Sequence, residues 1–178
     1  ALTAEHVATD YVHVHTEAKT NYHYVLWYED DRTILIKHEA YPYALPKFSE
    51  NPSWFYITSL PENTLDYQLE IARYAKANNI KLAFQPGTYQ LQVGAQALKE
   101  MYEASEIFFC NKEEAQDVLG MKDEEDIKKL MEGIRALGPK IAVVTDGTKG
   151  ANVMDHSGAF HIPMYPDPAP PVSRTGAG

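Results

Sequence analysis

The stretch "EIFFCNKEEAQDVLG", residues 106–120, carries the pattern that decides the fold. A short apolar run ends at Cys110, and an Asn-x-x-Glu sequence from Asn111 to Glu114 then opens a segment that stops at Gly120. The apolar run predicts a buried strand. The segment after it predicts a short helix, since glycine suits the left-handed position at a helix C-terminus. Strand followed at once by helix is the unit from which parallel sheets are built.

The same alternation continues on both sides of this stretch, from about residue 53 onwards. Strands are predicted at "WFYITSL", "IKLAF" and "IAVVTD", and helices at "TLDYQLEIARYAKANN", "LQVGAQALKEMYEA" and "DEEDIKKLMEGIRAL". "GANVMD" and "AFHIPMY" predict a terminal meander. Uniformly apolar short strands between helices are typical of a mostly parallel sheet that helices cover on both faces. We therefore expect one α/β domain over residues 49–178.

Residues 1–48 have a different texture. "YVHVH", "YHYVLWY" and "RTILIKH" alternate aromatic or β-branched residues with polar ones, which predicts strands with one wet face. The acidic residues 29–31 between the last two runs predict an antiparallel hairpin. We expect a β-rich edge or lid segment here, whose exposed edge strands would allow a homodimer to form.

Composition excludes several classes of partner and compartment. The chain has 178 residues and a net charge of −9, and its 16 Lys and Arg residues are scattered, so we expect no nucleic-acid partner. No apolar run approaches the roughly 20 residues that span a bilayer, so we expect no membrane partner. One cysteine, Cys110, excludes an intramolecular disulfide and fits a reducing compartment. With no signal peptide at the start, we expect a cytoplasmic protein.

Three polar stretches follow predicted strands, and each has two interpretations. Asn111 and Glu114 are spaced as a helix capping box, but an amide and a carboxylate at the carboxyl end of a parallel strand also suit hydrated magnesium and a phosphate. "TDGTKG", residues 145–150, is either a tight turn or a place where glycines let a nucleotide approach. "TGAG", residues 175–178, is either a loose tail or part of an anion-binding loop at a helix N-terminus.

In this order the three stretches resemble the PfkB (ribokinase-like) family of sugar and nucleoside kinases. "KLAFQPGTYQL", "EIFFCNKEEAQDVLG" and the early "RTIL" are similar to that family as well. The resemblance implies a ribokinase-like fold and an ATP- and Mg²⁺-dependent kinase that phosphorylates a hydroxyl of a sugar or nucleoside. Gln85 departs from the pattern, because relatives often carry asparagine before Pro-Gly.

Site residues are also implied by the resemblance. Gly176, Ala177 and Gly178 would form the anion hole for the transferred phosphoryl group. The ATP contacts would be Asn111, Thr145, Gly147, Gly150 and Thr175, and the magnesium residues Asn111 and Glu114. In the family an aspartate that accepts the acceptor's proton follows the glycine loop, and the present sequence stops one residue short of it. We therefore expect little or no phosphotransferase activity from these 178 residues alone.

Other hypotheses remain open. The chain could serve as a non-catalytic nucleotide-binding or subunit-association module of the same fold, or as another doubly wound binding domain. His13 and His15, two apart on a predicted strand, would share one face, and with His23 and His38 they are candidates for a metal site. Cys110 is a weaker candidate for a nucleophile, because a thiol at the end of an apolar strand is by default buried and structural.

Overall fold

An antiparallel hairpin comes first in the structure, a computed structural model that describes residues 2–28 and 31–166. Strand β1 (Tyr22–Tyr28) pairs with β2 (Asp31–Lys37), so the predicted hairpin is confirmed. The ladder places Val25 opposite Ile34, and every residue of β1 is exposed although most are aromatic or aliphatic. The chain divides into two compact units, Ala1–Lys47 and Phe48–Gly178.

The second unit contains the predicted alternation of strands and helices. In chain order its strands and helices are β3 (Trp54–Ile57), α1 (Leu65–Ala77), β4 (Lys81–Phe84), α2 (Thr88–Val93), α3 (Lys99–Ala104), β5 (Ser105–Asn111), α4 (Lys112–Leu119), α5 (Ile127–Ala136), β6 (Ile141–Thr145), β7 (Ala151–Met154) and β8 (Ala159–Ile162). Among the described residues these strands form one sheet in the order β3-β4-β5-β6-β7-β8. The first four strands are parallel to one another. Strand β7 is antiparallel to both of its neighbours, β6 and β8, as expected for a terminal meander.

Helices of this unit form one layer on one face of the sheet. The parallel strands are added in one direction, and right-handed crossovers then place every connecting helix on the same side. Helix α1 contacts α3, and α4 contacts α2 and α5. The short 3-10 turn Glu62–Thr64, which contacts both α1 and α2, connects the two groups. The prediction of helices on both faces is therefore wrong for the part of the chain that the structure describes.

The core lies between this layer and the inner face of the sheet. Its members come from alternate strand positions and from the helices, and they include Ile71, Leu82, Phe84, Met101, Tyr102, Phe108, Leu130, Ile134, Ala142 and Val144, all nearly inaccessible to solvent. Tyr102 stacks on Phe108 with ring centroids 5.0 Å apart, and Phe84 meets both rings edge-on. The alternate residues of the same strands, on the outer face, are more exposed.

Two local predictions were wrong. Residues 11–15, "YVHVH", form a turn and irregular structure, because local turns already use the backbone, as in the bond from Val12 N to Thr9 O of 3.0 Å. The helix predicted over residues 91–104 is divided between α2 and α3. Gly94, with φ of +88°, follows α2 in a backbone conformation that no helix continues through.

Candidate active site

The sheet brings two of the predicted stretches together at its carboxyl edge. Asn111 is the last residue of β5, Thr145 is the last residue of β6, and the two are register partners in the parallel ladder. Neighbouring strands in a sheet lie about 4.8 Å apart. Residues separated by a whole helix-helix-strand segment in the sequence therefore become adjacent at the position where α/β sheets bind ligands.

Asn111 and Glu114 form the capping box that their spacing predicts. The Asn111 side-chain oxygen accepts a hydrogen bond from Glu114 N (2.7 Å), and Glu114 Oε2 accepts one from Asn111 N (2.8 Å). These two bonds satisfy backbone donors that the first turn of α4 would leave unpaired. Glu114 Oε1 has no hydrogen-bond partner among the described residues, and the side chain is half-buried. The cap and a role in ligand binding are thus compatible.

Residues 145–150 form the tight connection between β6 and β7, which confirms the turn interpretation. Asp146 N donates to Gly150 O (2.9 Å), and Gly150 N donates to Gly147 O (3.1 Å). The turn holds Thr145 at half-exposure and leaves Gly147 on the surface.

The two glycines of this turn have different surroundings. Gly147 has φ of +51°, and a Cβ built on it would meet no atom within 4 Å, so its backbone is open to a ligand. Gly150 has φ of +93°, and a Cβ there would collide with the carbonyl oxygen of Ile162, the last residue of β8. Packing against its own chain is therefore sufficient to explain glycine at position 150.

A buried cation beside these residues was missed at the sequence level. Lys112 is 8% exposed, and its Nζ donates to Glu125 Oε2 at 2.5 Å. This hydrogen bond raises the pKa of the Lys112 ammonium group, and the negative charge of Asp146 acts in the same direction. The sequence feature that could have indicated this ion pair is a lysine in the first turn of a predicted helix, followed after the helix by the acidic run "DEED". Lys112, although paired with Glu125, thus lies close enough to the turn after β6 to interact with the charge of Asp146.

Cys110, the alternative nucleophile, is a core residue. Its side chain belongs to the inner face and the residue is 4% exposed. Burial raises the pKa of the thiol strongly, and the carboxylate of Glu114 adds to that effect. A neutral, inaccessible thiol is a poor nucleophile.

Of the four histidines considered for a metal site, His23 and His38 are a pair whose rings contact each other. His13 and His15 lie in irregular structure, and the rings of His23 and His38 are 5.8 Å apart. Within residues 2–28 and 31–166, no three His, Cys, Asp or Glu side chains are grouped as a metal site requires. Thr175, Gly176, Ala177 and Gly178 lie outside the described residues, so their assignments stay predictions.

Comparison with known proteins decides the family. The family model for pfkB family carbohydrate kinases matches residues 1–178. The chain belongs to the PfkB family.

Among curated proteins, this PfkB chain is similar to a cytidine kinase of Thermococcus kodakarensis, with 31% identity over 130 residues. The match covers 70% of this chain and 43% of the cytidine kinase. Two solved structures share the fold. A PfkB protein from Polaromonas sp. JS666 has a TM-score of 0.72 at 16% identity, over 93% of this chain and 60% of that one. A Burkholderia thailandensis nucleoside kinase in complex with inosine has a TM-score of 0.71 at 14% identity, over 98% of this chain and 57% of that one.

The chain thus spans between two fifths and three fifths of the length of these relatives. The ribokinase-like fold expected from the sequence is confirmed, with a mostly parallel six-stranded sheet and a two-stranded sheet before it. No helix in the described part of this PfkB chain has the length and apolar character needed to cross a membrane.

Proposed function

We propose that this chain is part of an ATP-dependent kinase that transfers the γ-phosphoryl group to a hydroxyl of a nucleoside or sugar. The observation that carries the proposal is the adjacency of Asn111 and Thr145 at the carboxyl edge, in a chain of the PfkB family. A nucleoside is the first acceptor to test, because the similar curated protein is a cytidine kinase.

Magnesium and nucleotide fit the residues at this edge. Mg²⁺ prefers oxygen ligands and retains several of its waters, and Glu114 Oε1 is a carboxylate oxygen that the capping box does not use. Bound MgATP would supply the transferable phosphoryl group and partial neutralisation of its charge. Glu114 would hold a water of the hydrated ion, and the Thr145 hydroxyl and Gly147 backbone would lie along the nucleotide.

Positioning and charge stabilisation supply most of the catalysis in phosphoryl transfer. The residues of this edge stand on the ends of packed strands and on a capped helix, so they are held in place before a ligand arrives. The transferred phosphoryl group would accept hydrogen bonds from the backbone N–H groups of Gly176, Ala177 and Gly178. These glycine roles rest on the family resemblance.

Phosphotransfer by the full-length protein tests the proposal. We expect ADP release that needs both Mg²⁺ and an acceptor, measured with cytidine, inosine, adenosine and ribose as acceptors. We also expect MgADP to raise the melting temperature. Absence of a nucleotide-induced shift, together with absence of turnover for every acceptor, would refute it.

A second candidate function is subunit association through the hairpin of β1 and β2. One face of this hairpin carries Val25, Trp27, Ile34 and Ile36, and the other carries Tyr24, Leu26 and Leu35, all largely exposed. A two-stranded hairpin has little stability alone and gains it from a further layer. We infer that a second copy of the chain supplies that layer, giving a homodimer. Dimerisation without nucleotide affinity would favour association as the sole function.

A further inference from the structure

Gln85 follows β4 directly and lies on the outer face of the sheet, the same face as Asn111 and Thr145. Phe84 points into the core, so Gln85, the next residue, points the opposite way. On β5 the core residues are Phe108 and Cys110, which leaves Asn111 on the outer side. Because β4, β5 and β6 are neighbours in that order, Gln85 and Thr145 flank β5 on the same face, with Gln85 following the partner of Phe108 and Thr145 paired with Asn111.

The carboxamide of Gln85 is held in one orientation. The hydroxyl of Tyr56, on β3, donates to Gln85 Oε1. That bond directs the oxygen toward Tyr56 and the NH₂ group away from it. The NH₂ group has no hydrogen-bond partner among the residues that the structure describes. Gln85 thus presents two oriented donors at the edge of the sheet.

The loop that carries Gln85 is rigid. Gln85 N donates to Ile57 O (2.8 Å), and Pro86 restricts the backbone at the next residue. Gln90, only 2% exposed, accepts from Gly87 N (2.7 Å) and Leu60 N (3.2 Å) and donates to Thr58 O (3.0 Å). These bonds join the loop after β4 to the loop after β3. A donor on such a fixed loop loses little entropy when it binds a ligand.

We infer that Gln85 is a specificity residue that hydrogen-bonds an oxygen atom of the phosphoryl acceptor, with Tyr56 as its positioning residue. The inference rests on the proposed function and names the acceptor side of the same site. The nucleotide residues lie on β5, β6 and the turn after β6, and Gln85 lies on the opposite side of Asn111 from Thr145. In-line transfer requires the acceptor on the side of the phosphoryl group away from the leaving nucleotide.

Aromatic rings beside Gln85 suit a nucleoside or a sugar as this acceptor. Tyr56 is 59% exposed, and its ring centroid lies 6.5 Å from that of Phe109, which belongs to the same outer face. Ring faces of this kind pack against the flat apolar surface of a base or a sugar. The Gln85 donors then select the hydroxyl or carbonyl oxygens of that ligand.

Substitution of Gln85 by Met in the full-length protein tests the inference. The change keeps the length of the side chain and removes its donors. We expect the Kd and KM for cytidine or inosine to rise roughly tenfold, which is the loss of about one good hydrogen bond. The KM for ATP and the MgADP-induced shift in Tm should stay unchanged. Gln92→Met, on the exposed surface of α2, is the matched control and should change neither constant.

A double-mutant cycle with Tyr56→Phe separates the contact from a purely structural role. Tyr56→Phe alone should weaken acceptor binding a few-fold, and in the Gln85→Met background it should add nothing, because the group it orients is gone. A fall in Tm with unchanged acceptor binding would overturn the inference, and so would an effect confined to ATP.

Two further outcomes separate this inference from the proposed function. If the wild-type protein binds MgADP but Gln85→Met leaves acceptor affinity intact, the role of Gln85 is wrong and the kinase proposal stands. If the wild-type protein binds cytidine or inosine without nucleotide affinity, and Gln85→Met weakens that binding, the contact stands and the kinase proposal fails. Binding of no acceptor by the wild-type protein overturns both.

Discussion

At the scale of single residues, the two carboxylate oxygens of Glu114 have separate tasks in this account. Oε2 accepts from Asn111 N and completes the cap of α4, whereas Oε1 is left for a ligand. The sequence presented these as competing interpretations of one motif. The structure confirms the cap, and the ligand role stays a prediction that depends on the second oxygen.

Substitution of Glu114 by Gln separates the two tasks. Glutamine also accepts a hydrogen bond at this position of a capping box, so we expect the free energy of unfolding to change by less than about 0.5 kcal/mol. The loss of charge should raise the Mg²⁺ concentration needed for half-maximal nucleotide binding by roughly tenfold, since a hydrogen bond to a charged group is lost. Urea unfolding and MgADP titration measure the two effects.

Asn111→Ala is the contrasting variant. It removes the cap acceptor, and we expect it to cost about 1 kcal/mol of folding stability. If Glu114→Gln proves as destabilising as Asn111→Ala while Mg²⁺ dependence is unaltered, Glu114 is a capping residue only.

Gly147 and Gly150 should respond differently to alanine. Both require a positive φ, so each substitution carries backbone strain of roughly 1 kcal/mol. Gly150→Ala adds a collision with the backbone at Ile162, and we expect a total loss of about 3 kcal/mol or more. Gly147→Ala meets open space and should instead weaken nucleotide binding. Equal losses of unfolding free energy for the two variants would contradict this assignment.

The thiol of Cys110 should be protected in the folded protein. Its burial and its raised pKa keep it neutral and inaccessible, so a disulfide reagent at pH 8 should label it only through opening of the fold. At the same pH, labelling of the native protein should be slower than labelling of the unfolded chain by the equilibrium constant for opening. Rapid stoichiometric labelling without denaturant would show that β5 is not buried as described.

At the scale of elements, apolar periodicity predicted a helix correctly where the sequence also contained a residue typical of a helix end. Helix α4 ends at Gly120, whose φ of +67° is the left-handed conformation that the sequence predicts. Helix α5 begins later than predicted. Asp126 caps the helix, because its side chain accepts a hydrogen bond from Lys128 N (2.9 Å). The acidic residues 123–126 therefore lie outside the helix, although the sequence predicted them in its first turn. Residues 11–15 alternate in the same way but form no strand, because an alternating segment becomes a strand only where a partner strand is present.

Gln90 tests how strongly one buried amide holds two loops together. Gln90→Leu would leave Gly87 N, Leu60 N and Thr58 O without their partner. We expect a loss of about 2–3 kcal/mol of unfolding free energy, because unsatisfied buried polar groups carry their full desolvation cost. Gln92→Leu on the exposed side of the same helix is the control and should change stability by less than about 0.5 kcal/mol. Similar urea midpoints for the two variants would contradict the role given to Gln90.

At the scale of the whole molecule, the sheet topology brings together polar residues that are far apart in the sequence. Asn111 and Thr145 were predictable as strand ends, and the parallel order of β5 and β6 makes them neighbours. The partnership of Tyr56 with Gln85 and the burial of Lys112 were not predictable, because both depend on side-chain contacts between distant segments. Periodicity carries information about which face a residue occupies, but not about which residue it meets there.

The exposed apolar hairpin of β1 and β2 leads us to expect a homodimer. Val25→Lys places a charge on its apolar face, opposite Ile34, and should shift a dimer to monomer in sedimentation velocity. Val14→Lys is the matched control, since Val14 is 81% exposed and lies outside the hairpin. A monomeric wild-type protein at high concentration, or dissociation by both variants alike, would rule out this interface.

The central claim is that the carboxyl ends of β5 and β6 together bind a magnesium nucleotide. The most direct measurement is a titration of the isotope-labelled protein with MgADP, followed through its backbone amide signals by NMR. We predict saturable shifts of the amides of residues 111–114 and 145–148, which for Glu114→Gln need roughly tenfold more Mg²⁺ to reach half of their maximum. Shifts confined to other parts of the sheet, or none at millimolar nucleotide, would contradict the claim.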